Sequence, residues 1–123
     1  MAEILFKELA YAIVGAAMEV HSQLGPGFLE AVYRKALIYE LRLQGLPFEE
    51  HKSLPVYYKG QLVGEYQADL IVDEKIIVEL KVVSTMNDAH AAQARHYLAA
   101  TGLRLAILIN FGPPSLQTKR VVM

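Results

Sequence analysis

The sequence predicts an α/β fold (α+β mixed sheet), in which helices flank one mixed β-sheet. Apolar residues recur at helical spacing up to Leu43, whereas the alternating and continuous apolar runs typical of strands begin after Pro47. Later in the chain, a third helical segment separates two strongly apolar strands, and a crossover of that length makes such strands parallel. The predicted order of elements is therefore α-α-β-β-β-α-β-β.

Two helices are predicted at the start of the chain, over residues 2–24 and 28–43. Gly25-Pro26-Gly27 ends the first helix and changes the chain direction, and Gly45 ends the second. No Lys-Ser/Thr pair follows the glycines, so the tripeptide is better explained as a corner between helices than as a phosphate-binding loop.

The remaining elements follow from turn signals and apolar runs. Lys59-Gly60 and Asp73-Glu74-Lys75 separate three strands, which predicts an antiparallel meander whose third, nearly all-apolar strand is central. The segments predicted after this meander are an alanine-rich helix at 87–101, a buried strand at 104–110 and an edge strand at 116–122.

The composition indicates one compact domain over residues 1–123. The formal net charge of −1 gives no basic footprint for nucleic acid over the whole domain, although it leaves room for a local basic rim. The absence of cysteine excludes disulfides and thiolate chemistry. With no long apolar run and no signal-peptide core, we expect a cytoplasmic protein without a membrane partner.

The third predicted strand, "KIIVELKVV" at residues 75–83, carries two charges among apolar residues. Residues two apart in a strand share a face, so Glu79 and Lys81 point the same way. A carboxylate and an ammonium are costly to desolvate unless they are paired or bind something. Asp69 stands between apolar neighbours in the preceding strand and raises the same question.

The hairpin loop decides whether Asp69 joins that face. A two-residue loop places Asp69 opposite Val78, whereas a three-residue loop at 73–75 places it opposite Glu79, with Cβ atoms roughly 5 Å apart. Facing carboxylates repel unless a cation lies between them, and oxygen ligands suit Mg²⁺ or Mn²⁺. Lys81 would then orient a water or stabilise a pentacovalent phosphate. The alternative is a simple Glu79–Lys81 ion pair on a solvent-facing side of the sheet.

Separate motifs, in order, resemble a known family. Asp69, nine further residues and then Glu79-x-Lys81 resemble the PD-(D/E)XK nuclease motif, although Ala68 stands where proline is expected. The stretch from Gly27 to Tyr33 resembles the GxxExxY signature of a group of small proteins in that superfamily. The likeness extends over "VHSQLGPGFLEAVY", "YQADLIVDEKIIVELKVV", "HAAQARHYLAATGL" and "LINFG". It implies a restriction-endonuclease-like core and a phosphodiesterase site that uses Mg²⁺ (or Mn²⁺).

The resemblance also implies roles for individual residues. Asp69 and Glu79 occupy the positions of metal ligands, and Lys81 that of the catalytic lysine. Glu30, on the helix before the sheet, matches the acidic residue that completes the metal site. A carboxylate in a first helical turn also suits the helix dipole, and Arg34 at i+4 is a sufficient surface explanation for Glu30.

The remaining candidates lie on the helices. Gln93, followed one turn later by Tyr97, resembles a glutamine-containing helix motif that lines the site in some branches of the superfamily, and this likeness implies a catalytic role for Gln93. Tyr97, His90, His21 and Tyr33 are weaker candidates. His90 shares their helical face, and His21 precedes the Gly-Pro-Gly corner, but a lone histidine is usually a satisfied polar group. Tyr33 fits a core or rim position equally well.

These patterns leave three functions open. The first is a Mg²⁺-dependent nuclease that hydrolyses phosphodiester bonds, with DNA favoured over RNA. The alternative is a catalytically silent nuclease fold that serves as a binding or assembly module, with homo-oligomers formed through the apolar helical side. A binding protein for a small phosphorylated metabolite ranks last, because no phosphate loop or dinucleotide fingerprint is present.

Overall fold

The computed structural model describes residues 5–123, and this part of the chain forms three helices and five strands. The helices are α1 (Lys7–Leu24), α2 (Glu30–Leu43) and α3 (Asp88–Thr101). The strands are β1 (Phe48–Tyr58), β2 (Gln61–Val72), β3 (Ile76–Lys81), β4 (Leu105–Asn110) and β5 (Gln117–Val122). The predicted order of elements is confirmed.

The helix boundaries differ from the predicted ones by a few residues. The start of the first helix was predicted at Ala2, which lies outside the described residues, and the described helix begins at Lys7. The second helix begins at Glu30 and not at Phe28, because Leu29 adopts an extended conformation (φ −70°, ψ 153°) at the N-cap.

The five strands form one mixed sheet in the order β1-β2-β3-β4-β5. Neighbouring strands are antiparallel except for β3 and β4, which are parallel and are connected through α3. The predicted meander and the central place of β3 are thus confirmed, and β5 is an edge strand as expected. The mixed sheet flanked by helices is consistent with a restriction-endonuclease-like fold.

Helices cover both faces of the central strand. Ile76, Val78 and Leu80 pack against α1 and α2, whereas Ile77 packs in a second cluster with α3. Because Glu79 shares the face of Ile77, its carboxylate lies on the α3 side of the sheet. Glu79 is only 4% exposed, so the sequence-based alternative of a solvent-facing Glu79 is wrong.

The hairpin of β1 and β2 extends beyond this core. Residues 55–67, which we call the hairpin arm, are exposed or half-buried throughout. The register of the two strands shifts between Val56 and Tyr57, where β2 contains the extra residue. The arm therefore presents two sheet faces that the described helices leave largely uncovered.

A buried amide fixes the chain immediately after β3. Asn110 is fully buried, and its Oδ1 accepts hydrogen bonds from the backbone N–H groups of Val83 (3.0 Å) and Gly112 (3.0 Å). Its Nδ2 donates to Val83 O (2.9 Å) and Gln117 Oε1 (3.1 Å). The Phe111 N–H also donates to Lys81 O at 2.9 Å. The end of β4 thereby fixes the backbone that follows Lys81.

Gly112→Ala is expected to destabilise the protein by about 1–3 kcal/mol. A Cβ at this position would lie 2.3 Å from Val83 O, so the backbone fixed by Asn110 would have to move. Gly15→Ala is the matched control: it lies within α1 with nothing within 4 Å of a Cβ, and should stabilise by about 0.5–1 kcal/mol. Urea unfolding measures both changes, and equal free energies of unfolding for the two variants would contradict the assignment.

Candidate active site

The hairpin between β2 and β3 has the three-residue loop on which the sequence-based site depends. The pairs Leu70–Val78, Ile71–Ile77 and Val72–Ile76 leave residues 73–75 as the loop. Lys75 N donates to Val72 O at 3.0 Å, and two consecutive residues, Asp73 (φ 52°) and Glu74 (φ 56°), adopt the left-handed region. The loop forms without glycine, and its length places Asp69 opposite Glu79, as predicted.

Backbone pairing between β2 and β3 stops after Leu70, and two side chains continue the contact. The Leu80 N–H donates to Asp69 Oδ2 at 2.8 Å, and the Asp69 N–H donates to Glu79 Oε1 at 3.2 Å. On the other side of β2, pairing is also interrupted at Asp69, where His51 of β1 adopts a left-handed φ of 48°. Such irregular backbone is common at functional sites.

The electrostatics of Glu79 reflect this crowding. Burial raises the pKa of Glu79 to about 9, and the facing Asp69 carboxyl contributes to the increase. The positive charge of Lys81 and the Asp69 N–H act in the opposite direction. Two carboxyl groups in this position favour either a bound proton or a bound cation between them. We refer to Asp69 and Glu79 as the carboxylate pair.

Glu30 and Lys81 complete the charged surroundings of the pair. Partial burial and the charge of Asp69 raise the pKa of Glu30, whereas Lys81 and Arg34 lower it. The Glu30 carboxyl is therefore close enough to Asp69 and Lys81 to sense both charges. The ion pairs of the described residues lie elsewhere, so the alternative of a simple Glu79–Lys81 ion pair is not observed.

The helix α3 brings a tyrosine to the same site. Tyr97 is buried, and burial together with the charges of Glu79 and Asp69 raises its pKa to about 12. Its hydroxyl therefore remains protonated at neutral pH and can donate a hydrogen bond. Gln93 lies half-buried one turn earlier on the same helix. The Tyr97 ring also meets the Tyr66 ring edge-on, with centroids 5.6 Å apart.

Three of the weaker candidates, His90, His21 and Tyr33, have structural partners. His90 Nδ1 accepts a hydrogen bond from Asn87 N in the capping box that begins α3. His21 Nε2 lies 3.0 Å from Pro113 O, and its ring packs against Phe111. Tyr33 donates to Gly25 O at 2.6 Å and stacks on Phe111 with centroids 4.6 Å apart. These contacts are sufficient to account for all three side chains.

Comparison with known proteins identifies the family. A family profile described as the PD-(D/E)XK nuclease superfamily matches residues 7–121. The chain belongs to the PD-(D/E)XK nuclease superfamily. Enzymes of this superfamily are usually nucleases or other phosphodiesterases, generally use Mg²⁺ or Mn²⁺, and act on nucleic acid.

One solved structure supports the fold of this PD-(D/E)XK protein independently. The crystal structure of SSO0001 superposes with a TM-score of 0.59 and 19% sequence identity. The superposition covers 95% of this chain and 57% of the SSO0001 chain. A comparison with curated proteins found no match. Within residues 5–123, no helix has the length and apolar character needed to span a membrane.

The carboxylate pair fits the Mg²⁺ or Mn²⁺ that the superfamily generally uses. Both side chains offer the oxygen atoms that these ions prefer, and each uses one oxygen to accept a backbone N–H. Each side chain keeps a second carboxyl oxygen that could contact a cation. No group of three or more His, Cys, Asp or Glu in residues 5–123 is close enough to hold a metal ion. The pair would therefore need water or ligand oxygens to complete the coordination.

Two residues near the site were missed by sequence reasoning. Asn110, which fixes the backbone after Lys81, is the last residue of an otherwise apolar strand, and that polar ending was a usable signal. Tyr66 comes three residues before Asp69, and only the packing of α3 reveals its contact with Tyr97. The resemblance had included "LINFG" without assigning any of its residues a role.

Proposed function

We propose that residues 1–123 form one domain that acts as a divalent-cation-dependent nuclease, with DNA preferred over RNA. The observation that carries the proposal is the contact between Asp69 and Glu79, with Lys81 one pleat further along the same face. A merely structural site has no need for two facing carboxyl groups in a buried position. Membership of the nuclease superfamily supports the same chemistry.

The proposal assigns a role to each residue around the pair. Asp69 and Glu79 would hold Mg²⁺ or Mn²⁺, with Glu30 acting through water from the second helix. The bound cation would supply a water of lowered pKa and would neutralise charge on the scissile phosphate. Glu30 orients the attacking water by accepting its hydrogen bond, and the Lys81 ammonium stabilises the charge that develops on the phosphoryl oxygens.

The α3 side chains contribute donors to the same phosphate in this proposal. Tyr97 keeps its proton at neutral pH, so its hydroxyl can donate to a phosphoryl oxygen. The Gln93 amide, one turn earlier, offers a second neutral donor. Neutral donors suit a site that already contains three carboxyl groups, because they bind the phosphate without forming an ion pair with those carboxylates.

We also propose that the chain belongs to the GxxExxY group of the superfamily. Each residue of that signature has a physical reason to stand where it does. Gly27 has a φ of 113°, which disfavours other residues, and Tyr33 holds the preceding corner through Gly25 O. Glu30 lies one turn before Tyr33 on α2, and the charge of Asp69 contributes to its raised pKa.

A cleavage assay tests the proposed activity directly. Purified protein should cut labelled single-stranded or duplex DNA with Mn²⁺ or Mg²⁺, and should cut nothing in EDTA. Asp69→Asn should abolish cleavage, whereas Asp73→Asn, in the adjacent loop, should leave it unchanged. Cleavage of RNA alone would reassign the substrate. Cleavage that persists in EDTA and in Asp69→Asn, or no cleavage of either nucleic acid, would contradict the proposal.

A further inference from the structure

One face of the hairpin arm is lined by apolar and aromatic side chains. Along β1, Leu54, Val56 and Tyr58 alternate onto the side of the sheet that α3 covers, where Leu54 is buried. Tyr66 of β2 pairs with Leu54 and therefore shares this side. We call Leu54, Val56, Tyr58 and Tyr66 the tyrosine face.

The tyrosine face is open to solvent beyond α3. Tyr58 is 61% exposed and Tyr66 is 44% exposed, although both are large rings. Gly64 pairs with Val56 between them, and nothing lies within 4 Å of the position that its Cβ would occupy. Between the two rings, the backbone of β2 at Gly64 is therefore not covered by a side chain.

The tyrosine face leads to the carboxylate pair. Tyr66 meets Tyr97 edge-on, and the Tyr97 hydroxyl senses the charges of Glu79 and Asp69. Tyr66 precedes Asp69 by three residues, which corresponds to about 10 Å along a strand. A ligand on the arm would therefore extend into the candidate active site without a break.

The charges on this face also restrict its ligand. The four side chains of the tyrosine face carry no charge, and Lys59 at the tip lies over the Tyr58 ring, with Nζ 5.4 Å from the ring centroid. Glu65 alternates onto the opposite face. A duplex presents mainly phosphates and needs many cations, whereas the whole chain has a net charge of −1. Unpaired bases stack on aromatic side chains while cations contact their backbone, and this face supplies exposed tyrosines with Lys59 beside them.

We infer that the tyrosine face binds unpaired bases, so that the preferred substrate is a single strand or a single-stranded tail that runs along the arm into the carboxylate pair. This inference rests on the proposed nuclease function and specifies its substrate class. Tyr66 and Tyr58 stack on bases, while Lys59 contacts the phosphate backbone at the outer end.

Binding without cleavage tests the inference. Fluorescence anisotropy in EDTA would compare a labelled single-stranded DNA of roughly 15 nucleotides with the same strand in a duplex. The single strand should bind more tightly. Tyr58→Ala and Tyr66→Ala should each weaken its binding by about tenfold, and Tyr66→Phe should retain it. Tyr57→Ala is the matched control, because Tyr57 is equally exposed but alternates onto the opposite face.

Three results would overturn the inference: tighter binding of the duplex, equal losses for Tyr57→Ala and Tyr58→Ala, or single-strand binding unaffected by both tyrosine-face variants. Sedimentation adds a separate check, since a dimer that Tyr58→Ala dissociates would assign the face to a second copy of the chain.

If cleavage with Mn²⁺ occurs but the tyrosine-face variants bind normally, only the substrate assignment fails. If wild-type protein binds the single strand as expected but cuts nothing, the proposed activity fails instead.

Discussion

Glu79→Gln is expected to stabilise the metal-free protein at pH 8 by roughly 1–2 kcal/mol while it abolishes cleavage. Glutamine keeps an oxygen that can accept the Asp69 N–H, and it needs no proton to stay neutral, whereas folding at pH 8 forces Glu79 to take up a proton that the unfolded chain has released. Glutamine also lacks the carboxylate that would bind the cation. Catalytic residues that are unfavourable for folding are a known source of the conflict between activity and stability.

The stabilisation should depend on pH in a defined direction. The pKa of Glu79 rises from 4.5 to about 9 on folding, so the folded state holds this proton more tightly. Between these two values, the wild-type protein loses stability as the pH rises, because folded Glu79 keeps a proton that the unfolded chain has already released. The Gln variant lacks this loss, so its advantage should grow from pH 5 to pH 9.

Thermal unfolding in EDTA at several pH values measures the effect. Glu65→Gln, an exposed change on the same hairpin, should show neither the stabilisation nor its pH dependence. Saturating Mn²⁺ should restore stability to the wild-type protein but not to Glu79→Gln, because a ligand stabilises the state that binds it. A Gln variant that is less stable than wild type at pH 8 in EDTA would refute the described environment of Glu79.

Lys81→Ala is expected to lower the rate of Mn²⁺-dependent cleavage by roughly 10²–10⁴-fold. The charge of Lys81 lowers the pKa of both Glu79 and Glu30, and Lys81 shares the face of β3 that carries Glu79, beside the proposed phosphate site. Because its side chain is half-buried near the end of β3, the substitution should leave the fold intact.

A second lysine on the same hairpin supplies the control. Lys75→Ala removes an exposed ammonium that pairs with Asp73 Oδ2 at 2.9 Å, and cleavage should remain at the wild-type rate. Lys81→Ala should still bind Mn²⁺, since the carboxylate pair is unchanged. Normal cleavage by Lys81→Ala, or a fall in rate that a matching loss of Mn²⁺ binding explains, would remove Lys81 from the proposed catalytic role.

The main features of the fold and the centre of the site follow from the sequence because they depend on local patterns. The alternation in "KIIVELKVV" assigns Glu79 and Lys81 to one face, and three loop residues determine which residue of β2 lies opposite. The helical spacing before Pro47 and the alanine-rich segment give the remaining layers. Strand alternation, loop length and helical spacing can each be identified within a short segment, without knowledge of distant contacts.

Other features depend on contacts between distant segments, and no local period encodes them. Tyr33 fits core and rim equally well until the Gly25 carbonyl and the Phe111 ring are placed beside it. The role of Asn110 depends on Val83, which is 27 residues away in sequence. The left-handed φ of His51 has no sequence signal, because glycine is the residue that normally marks such a position.

Anomalous scattering from a crystal soaked in Mn²⁺ is the most direct test of the carboxylate pair. A single strong peak is expected between the side chains of Asp69 and Glu79, on the face that Lys81 shares. The same soak of Glu79→Gln crystals should show no peak there. Wild-type crystals that diffract well but show Mn²⁺ only at other residues would contradict the proposed metal site.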